Sequence, residues 1–238
     1  MADPESHPAP RAKSTISSYL TTIAHGSSPF LTTFLLIHLS APALANLGGG
    51  SLASQVMLLG REYYQTPVGE KLLLLAPLGL HVASGIAKRA ISGSPSKRPR
   101  PMSTLLTITG YGTLAFLPIH FLTHRVLPTE SNLLDLDYEY VKLGLQTWPW
   151  RSWVLYTGLV GCVLLHAAEG MNLIASTWGG AAWAQWKGSK RTRRIVAGAG
   201  ALPVLTGLWV LFKEPLMAFP SIARQFEDTF TRSWVFRV

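Results

Sequence analysis

Four separate stretches of this chain are apolar, about 20 residues long, and carry one histidine each. They are residues 29–47 with His38, 71–91 with His81, 103–124 with His120 and 153–174 with His166. A run of that length is what a helix needs to cross a bilayer, so the pattern restricts the fold before any other feature does. A fifth apolar stretch, 195–212, is Gly-rich, contains Pro203 and has no histidine. The expected fold is an all-α membrane protein, a bundle of five transmembrane helices. Hydrophobic residues make up 48% of the chain and charged residues 14%, and the apolar ones cluster in long runs rather than spreading through a soluble core.

The same inventory removes several function classes. Cys162 is the single cysteine, so an internal disulfide, a cysteine-based zinc site and covalent c-type heme attachment are excluded. The net charge of +9 does not indicate nucleic-acid binding, because the basic residues flank apolar segments and no base-stacking module is visible. The first 27 residues contain Asp3 and Glu5 and lack both the apolar core of a secretory signal and the acid-poor, Arg-rich pattern of a matrix presequence. The spans themselves are the expected insertion signal.

Taken in order, residues 1–27 form an N-terminal segment with a Pro-rich start. Within it, Ile16, Tyr19, Leu20 and Ile23 follow the spacing of one helical face. A short interfacial helix and a plain leader into the first span are both compatible with that spacing. The membrane domain is expected over 28–212, with a kink at Pro42, an end to the first span at 48–51 (GGGS) and a polar, aromatic connection over 52–69. Residues 126–152 are a longer connection, acidic at first and then tryptophan-rich, as at a membrane interface. In the C-terminal segment 213–238, Ile222, Phe226 and Phe230 recur every four residues and suggest a second interfacial helix. The N-terminus and the loops after the second and fourth spans hold the larger share of Lys and Arg, which puts the N-terminus in the cytosol.

Neutral imidazole is a common axial ligand of heme iron. Four histidines on four helices could hold two b-type hemes. Position along the spans places His81 and His166 nearer the basic side and His120 nearer the other; His38 is central and pairs with His120 if His81 pairs with His166. Gly85 and Gly170 follow His81 and His166 at i+4, on the same helical face, and leave room for a flat macrocycle. Lys88 and Arg89 stand where propionates would be met on the basic side, and His124 and Arg125 on the other. The competing reading is that these histidines only hydrogen-bond one helix to another. Glu169, three residues after His166, is open to three readings: a protonated acid, a partner for a neighbouring side chain, or the wall of a hydrated path. Cys162 is expected to serve packing. Apart from one histidine per span, no internal repeat is evident.

One histidine on each of the first four of five spans resembles the diheme cytochrome b anchor of succinate dehydrogenase and fumarate reductase. That resemblance covers residues 28–212 and implies that the second and fourth helices share one heme and the first and third the other. A closer resemblance is carried by LGREYYQ (59–65), HVASGIAKR (81–89), ITGYGTLAFLPIHFLTHRVLP (108–128), DYEYVKLGLQTWP (137–149) and HAAEGMNLI (166–174). These segments resemble the fungal mitochondrial adapter family, the complementing proteins that suppress loss of the ER–mitochondria tether. The resemblance implies residence in the mitochondrial outer membrane. It also implies recruitment of a bridge-like lipid-transfer protein of the vacuolar-protein-sorting-thirteen type through a Pro-x-Pro motif. Pro8 and Pro10 are the partner-binding candidates, and 99–101 is a second Pro-x-Pro that reads as a flexible linker ahead of a partner motif. Two functions follow. One is a membrane adapter acting on membrane lipids, with scrambling along Glu169 and Asn172. The other is a diheme cytochrome b subunit carrying electrons across a membrane, for which the chain supplies no G-x-G-x-x-G and no cysteine cluster.

Overall fold

The computed structural model describes residues 10–91, 104–131, 133, 136–179 and 189–237. Among these residues all regular structure is helical. The elements are α1 (Pro10–Tyr64), a π-helical stretch (Gly69–Leu75) running into α2 (Ala76–Ile91), α3 (Leu105–Phe121), a second π-helical stretch (Leu122–Val126) and α4 (Leu127–Glu130). They continue with α5 (Tyr138–Thr147), α6 (Pro149–Trp178), α7 (Lys190–Lys213) and α8 (Pro220–Arg232). Five helical runs are long and apolar enough to cross a membrane: Thr15–Tyr64, Gly69–Ile91, Leu105–Glu130, Pro149–Trp178 and Lys190–Lys213. Both π-helical stretches end two residues before a proline, Pro77 or Pro128. Proline lacks an N–H and its ring crowds the carbonyl four residues back, and a widened turn relieves that conflict.

The chain forms two compact units. The first comprises Met1–Leu35 and Glu62–Pro101. In it α2 lies against the start of α1, with Lys88 Nζ donating to Thr21 Oγ1 at 2.5 Å, and Tyr64 at the end of α1 meets Phe34 of the same helix edge-on at 5.0 Å between ring centres. The entry into the π-helical stretch is fixed by Thr66, whose hydroxyl accepts from the Gly69 N–H at 3.0 Å.

The second unit comprises Leu36–Arg61 and Met102–Val238. One of its cores joins Ala41, Ala45 and Ala53 of α1 to Leu145 of α5 and Leu208 and Leu211 of α7. Small residues let the helices approach. A Cβ at Gly207 would run into the Pro42 carbonyl, and Asn46 Nδ2 donates to the Pro203 carbonyl at 2.7 Å. A second core packs Phe226 and Phe230 of α8 on Tyr140 and Leu143 of α5, with Phe236 beyond. Tyr140 and Phe230 stack at 4.3 Å.

Charge ties these layers together. Lys142, 2% exposed, bonds Glu139 at 2.5 Å and lies 3.6 Å from Glu214. Glu214 accepts from the Gly50 N–H with both oxygens, at 3.0 and 3.1 Å, and Glu139 accepts from Met217 N at 2.6 Å.

Of the two readings of Ile16, Tyr19, Leu20 and Ile23, the continuous α1 matches the leader into the first span. Three sequence expectations change. The helical dihedrals break at Gly48 and Gly49, not at Pro42. Gly49 has φ 60°, and a Cβ there would strike the Glu214 carboxylate. Beyond that break, residues 52–64 are helical where a connection was expected. Finally, α8 turns its phenylalanines onto α5 and not into lipid, because Tyr140 and Trp148 offer them an aromatic surface within the protein.

Candidate functional site: the span histidines

His81 sits in the first unit with Nδ1 3.1 Å from the Ala24 carbonyl and 3.2 Å from Ser27 Oγ. A carbonyl can only accept, so Nδ1 carries the proton and Nε2 the lone pair. In the second unit His166 does the same, with Nδ1 3.1 Å from the Leu106 carbonyl. Gly110, one turn further along α3, makes room for that ring: a Cβ there would lie 3.0 Å from His166 Cε1. Metal-binding histidines characteristically donate their second ring nitrogen in this way, which orients the ring and raises its basicity.

The two carbonyls are equivalent in position. Ala24 precedes His38 by fourteen residues on α1, and Leu106 precedes His120 by fourteen residues on α3. Fourteen residues of helix are about 21 Å and just under four turns, so carbonyl and histidine share a face. Each unit thus contains one backbone carbonyl that fixes the imidazole of a neighbouring helix.

Within the second unit, the His38 and His120 rings lie 5.9 Å apart between centres, crossed at 79°. Metal–imidazole bonds are about 2 Å long, so two imidazoles sharing one iron stand about 6 Å apart between ring centres. The donor chemistry and this spacing fit bis-histidine heme. Among the described residues no group of three or more His, Cys, Asp or Glu side chains is arranged to hold a metal ion; a bis-histidine iron takes two. Gly85 has open space where a Cβ would stand, and at Gly170 a Cβ would come only to 4.0 Å from Leu106 Cδ1, so neither glycine is filled in. Arg89 lies beside Lys88 in the last turn of α2.

His124 and Tyr156 join the His38–His120 pair and were not anticipated there. His124 turns inward, 4.7 Å from the His120 ring, and its Nε2 lies 3.1 Å from the Tyr156 hydroxyl. It does not wait at the membrane surface for a propionate, and Arg125 donates to Thr129 Oγ1 at 3.0 Å. The spacing of His120 and His124, i and i+4, is the signal that places both on one face. Tyr140 of α5 reaches in from outside the span and donates to the Thr123 carbonyl at 3.0 Å; burial holds its phenol well above the usual range, so it stays a donor. A small cavity of ≈ 10 Å³ lies beside His120, bounded by Thr123, His124, Ser152, Tyr156 and Phe236. It is water-sized, so a macrocycle on His38 and His120 would lie outside it.

Glu169 forms an ion pair with Arg193 of α7, Nε to Oε1, at 2.9 Å, with both side chains 17% exposed. Of its three readings, the structure places it with a neighbouring side chain. Pro8 and the motif at 99–101 lie outside the described residues, as does the side chain of Pro10.

Residues 115–212 match the family model described as MDM10-complementing protein 1, transmembrane domain. The match runs from the second half of α3 through α7 and includes His120, His124, Tyr156 and His166. No curated protein and no solved structure matches the chain.

Proposed function

We propose that this chain is an adapter of the mitochondrial outer membrane. It recruits a bridge-like lipid-transfer protein of the vacuolar-protein-sorting-thirteen type to membrane contacts, and its span histidines hold two b-type hemes. The family match over residues 115–212 is the observation that carries the adapter reading, and the motifs from 59 to 174 extend it toward the N-terminus. Pro8 and Pro10 would make the partner contact from the cytosolic side. Capture of the lipid-transfer protein by the detergent-solubilised chain tests this. The wild type should capture it, and a Pro8→Ala, Pro10→Ala double variant should lose capture while keeping its helix content. Equal capture by both would contradict the motif assignment, and no capture by either would contradict the adapter reading.

His81 with His166, and His38 with His120, are the proposed ligand pairs. The fixed Nδ1–H of His81 and of His166 supports the first, and the 5.9 Å ring spacing supports the second. When bound, b-type heme supplies a one-electron redox centre. The chain's own contribution is to orient four imidazoles, to leave Gly85 and Gly170 open for a flat group, and to place Lys88 and Arg89 near carboxylates at the basic end.

An adapter that receives lipid on one leaflet gains from passing it to the other. The Glu169–Arg193 pair, with Asn172 nearby in sequence, offers both charges of a zwitterionic headgroup a partner. Lipid flipping in proteoliposomes should therefore exceed that of protein-free vesicles and fall in Glu169→Gln; flipping no faster than protein-free vesicles contradicts this step. The second reading, an electron-carrying diheme cytochrome b, is favoured by the repeated carbonyl–imidazole device in the two units. Rapid reduction by a low-potential donor would support it.

A further inference from the structure

Thr123 is 1% exposed, and its hydroxyl has no hydrogen-bond partner among the described residues. Threonines on membrane helices ordinarily return the hydroxyl to a carbonyl of the preceding turn. Thr109 and Thr113 do so here, to Leu105 O at 2.7 Å and to Thr109 O at 2.9 Å. Thr123 stands instead in the π-helical stretch Leu122–Val126, where the widened turn changes which carbonyls are within reach. Its own carbonyl is already taken by Tyr140. Thr123 lines the ≈ 10 Å³ cavity beside His120.

The other polar groups around that cavity are engaged but not saturated. Ser152 Oγ donates to Gly144 O at 2.6 Å and keeps its lone pairs. The Tyr156 hydroxyl shares one bond with His124 Nε2 and has a second position to offer. A buried water needs about 10–15 Å³ and two to four polar partners. A buried hydroxyl left unmatched is costly, so a cavity of this size beside one is favoured to fill.

We infer that the cavity is a binding site for a single ordered water, held by Thr123 Oγ1, the Tyr156 hydroxyl and Ser152 Oγ. The water completes a hydrogen-bonded chain from Thr123 through Tyr156 to His124, against the ring of His120. The π-helical turn then has a role: it releases the Thr123 hydroxyl from the backbone and aims it at the water. Phe236, itself buried, forms part of the wall. The inference does not require heme.

Thermal unfolding of the full chain in detergent tests it through the sign of one substitution. Thr123→Val keeps the shape and removes the hydroxyl. If the hydroxyl holds a water, the change lowers Tm by about 2–4 °C, and Thr123→Ser stays near the wild type. If the hydroxyl is unmatched, Thr123→Val leaves Tm unchanged or raises it, and the inference is overturned. A wild-type structure at a resolution that shows bound waters decides the matter even where Thr123→Val does not fold. Density within hydrogen-bond reach of Thr123 Oγ1 supports the site, and an empty cavity contradicts it.

Discussion

At the scale of single residues, one backbone carbonyl decides which nitrogen an imidazole presents. Ala24 does this for His81 and Leu106 for His166. The four histidines and their spans were legible in the sequence because each interrupts an apolar run. The carbonyl partners were not, since a backbone acceptor leaves no mark in composition. The ion pair of Glu169 with Arg193 was likewise one of several sequence possibilities until two helices were seen side by side. Lys142 makes a separate prediction. It is buried between two carboxylates, and removing it strands both. Lys142→Met should lower stability by about 2 kcal/mol, less than a fully buried pair would lose, because Glu139 and Glu214 keep some solvent contact. Chemical denaturation monitored by circular dichroism would read it, and an unchanged midpoint would show that the network contributes nothing.

At the scale of elements, the long first helix was the hardest to read. Its apolar spacing near Tyr19, the proline at 42 and the glycines at 48–50 each look like a boundary. Only the Gly48–Gly49 pair is one, because Gly49 takes φ 60° and Gly50 hands its N–H to Glu214, 164 residues away in sequence. Pro42 stays in the helix and serves packing, with its carbonyl against Gly207. Gly207→Ala should therefore force α1 and α7 apart and cost about 1–3 kcal/mol. Gly198→Ala, on the same helix but facing open space, should be neutral or stabilising by up to about 1 kcal/mol. Thermal melts of the two variants side by side separate helix packing from helix propensity; equal shifts would refute the close approach.

At the scale of the whole molecule, five apolar spans were readable from run length alone, whereas the helical layer made by α5 and α8 was not. Its amphipathic signal is the same whether the phenylalanines face lipid or protein. Contact with Tyr140 and Trp148 settles it for protein. Phe230→Ala should accordingly destabilise the chain by about 3–5 kcal/mol, where a helix lying in the lipid interface would show little loss of fold stability. Limited proteolysis of α8 in the variant would report the detachment. The central proposal is that the four span histidines bind two hemes, and a pyridine-hemochrome assay with reduced-minus-oxidised spectra on the purified chain tests it most directly. The account predicts about two b-type hemes per chain, with one lost in His81→Ala or His166→Ala and the other lost in His38→Ala or His120→Ala. No heme in protein produced under heme-replete conditions would contradict it, and the four imidazoles would then be hydrogen-bonding and packing groups between helices.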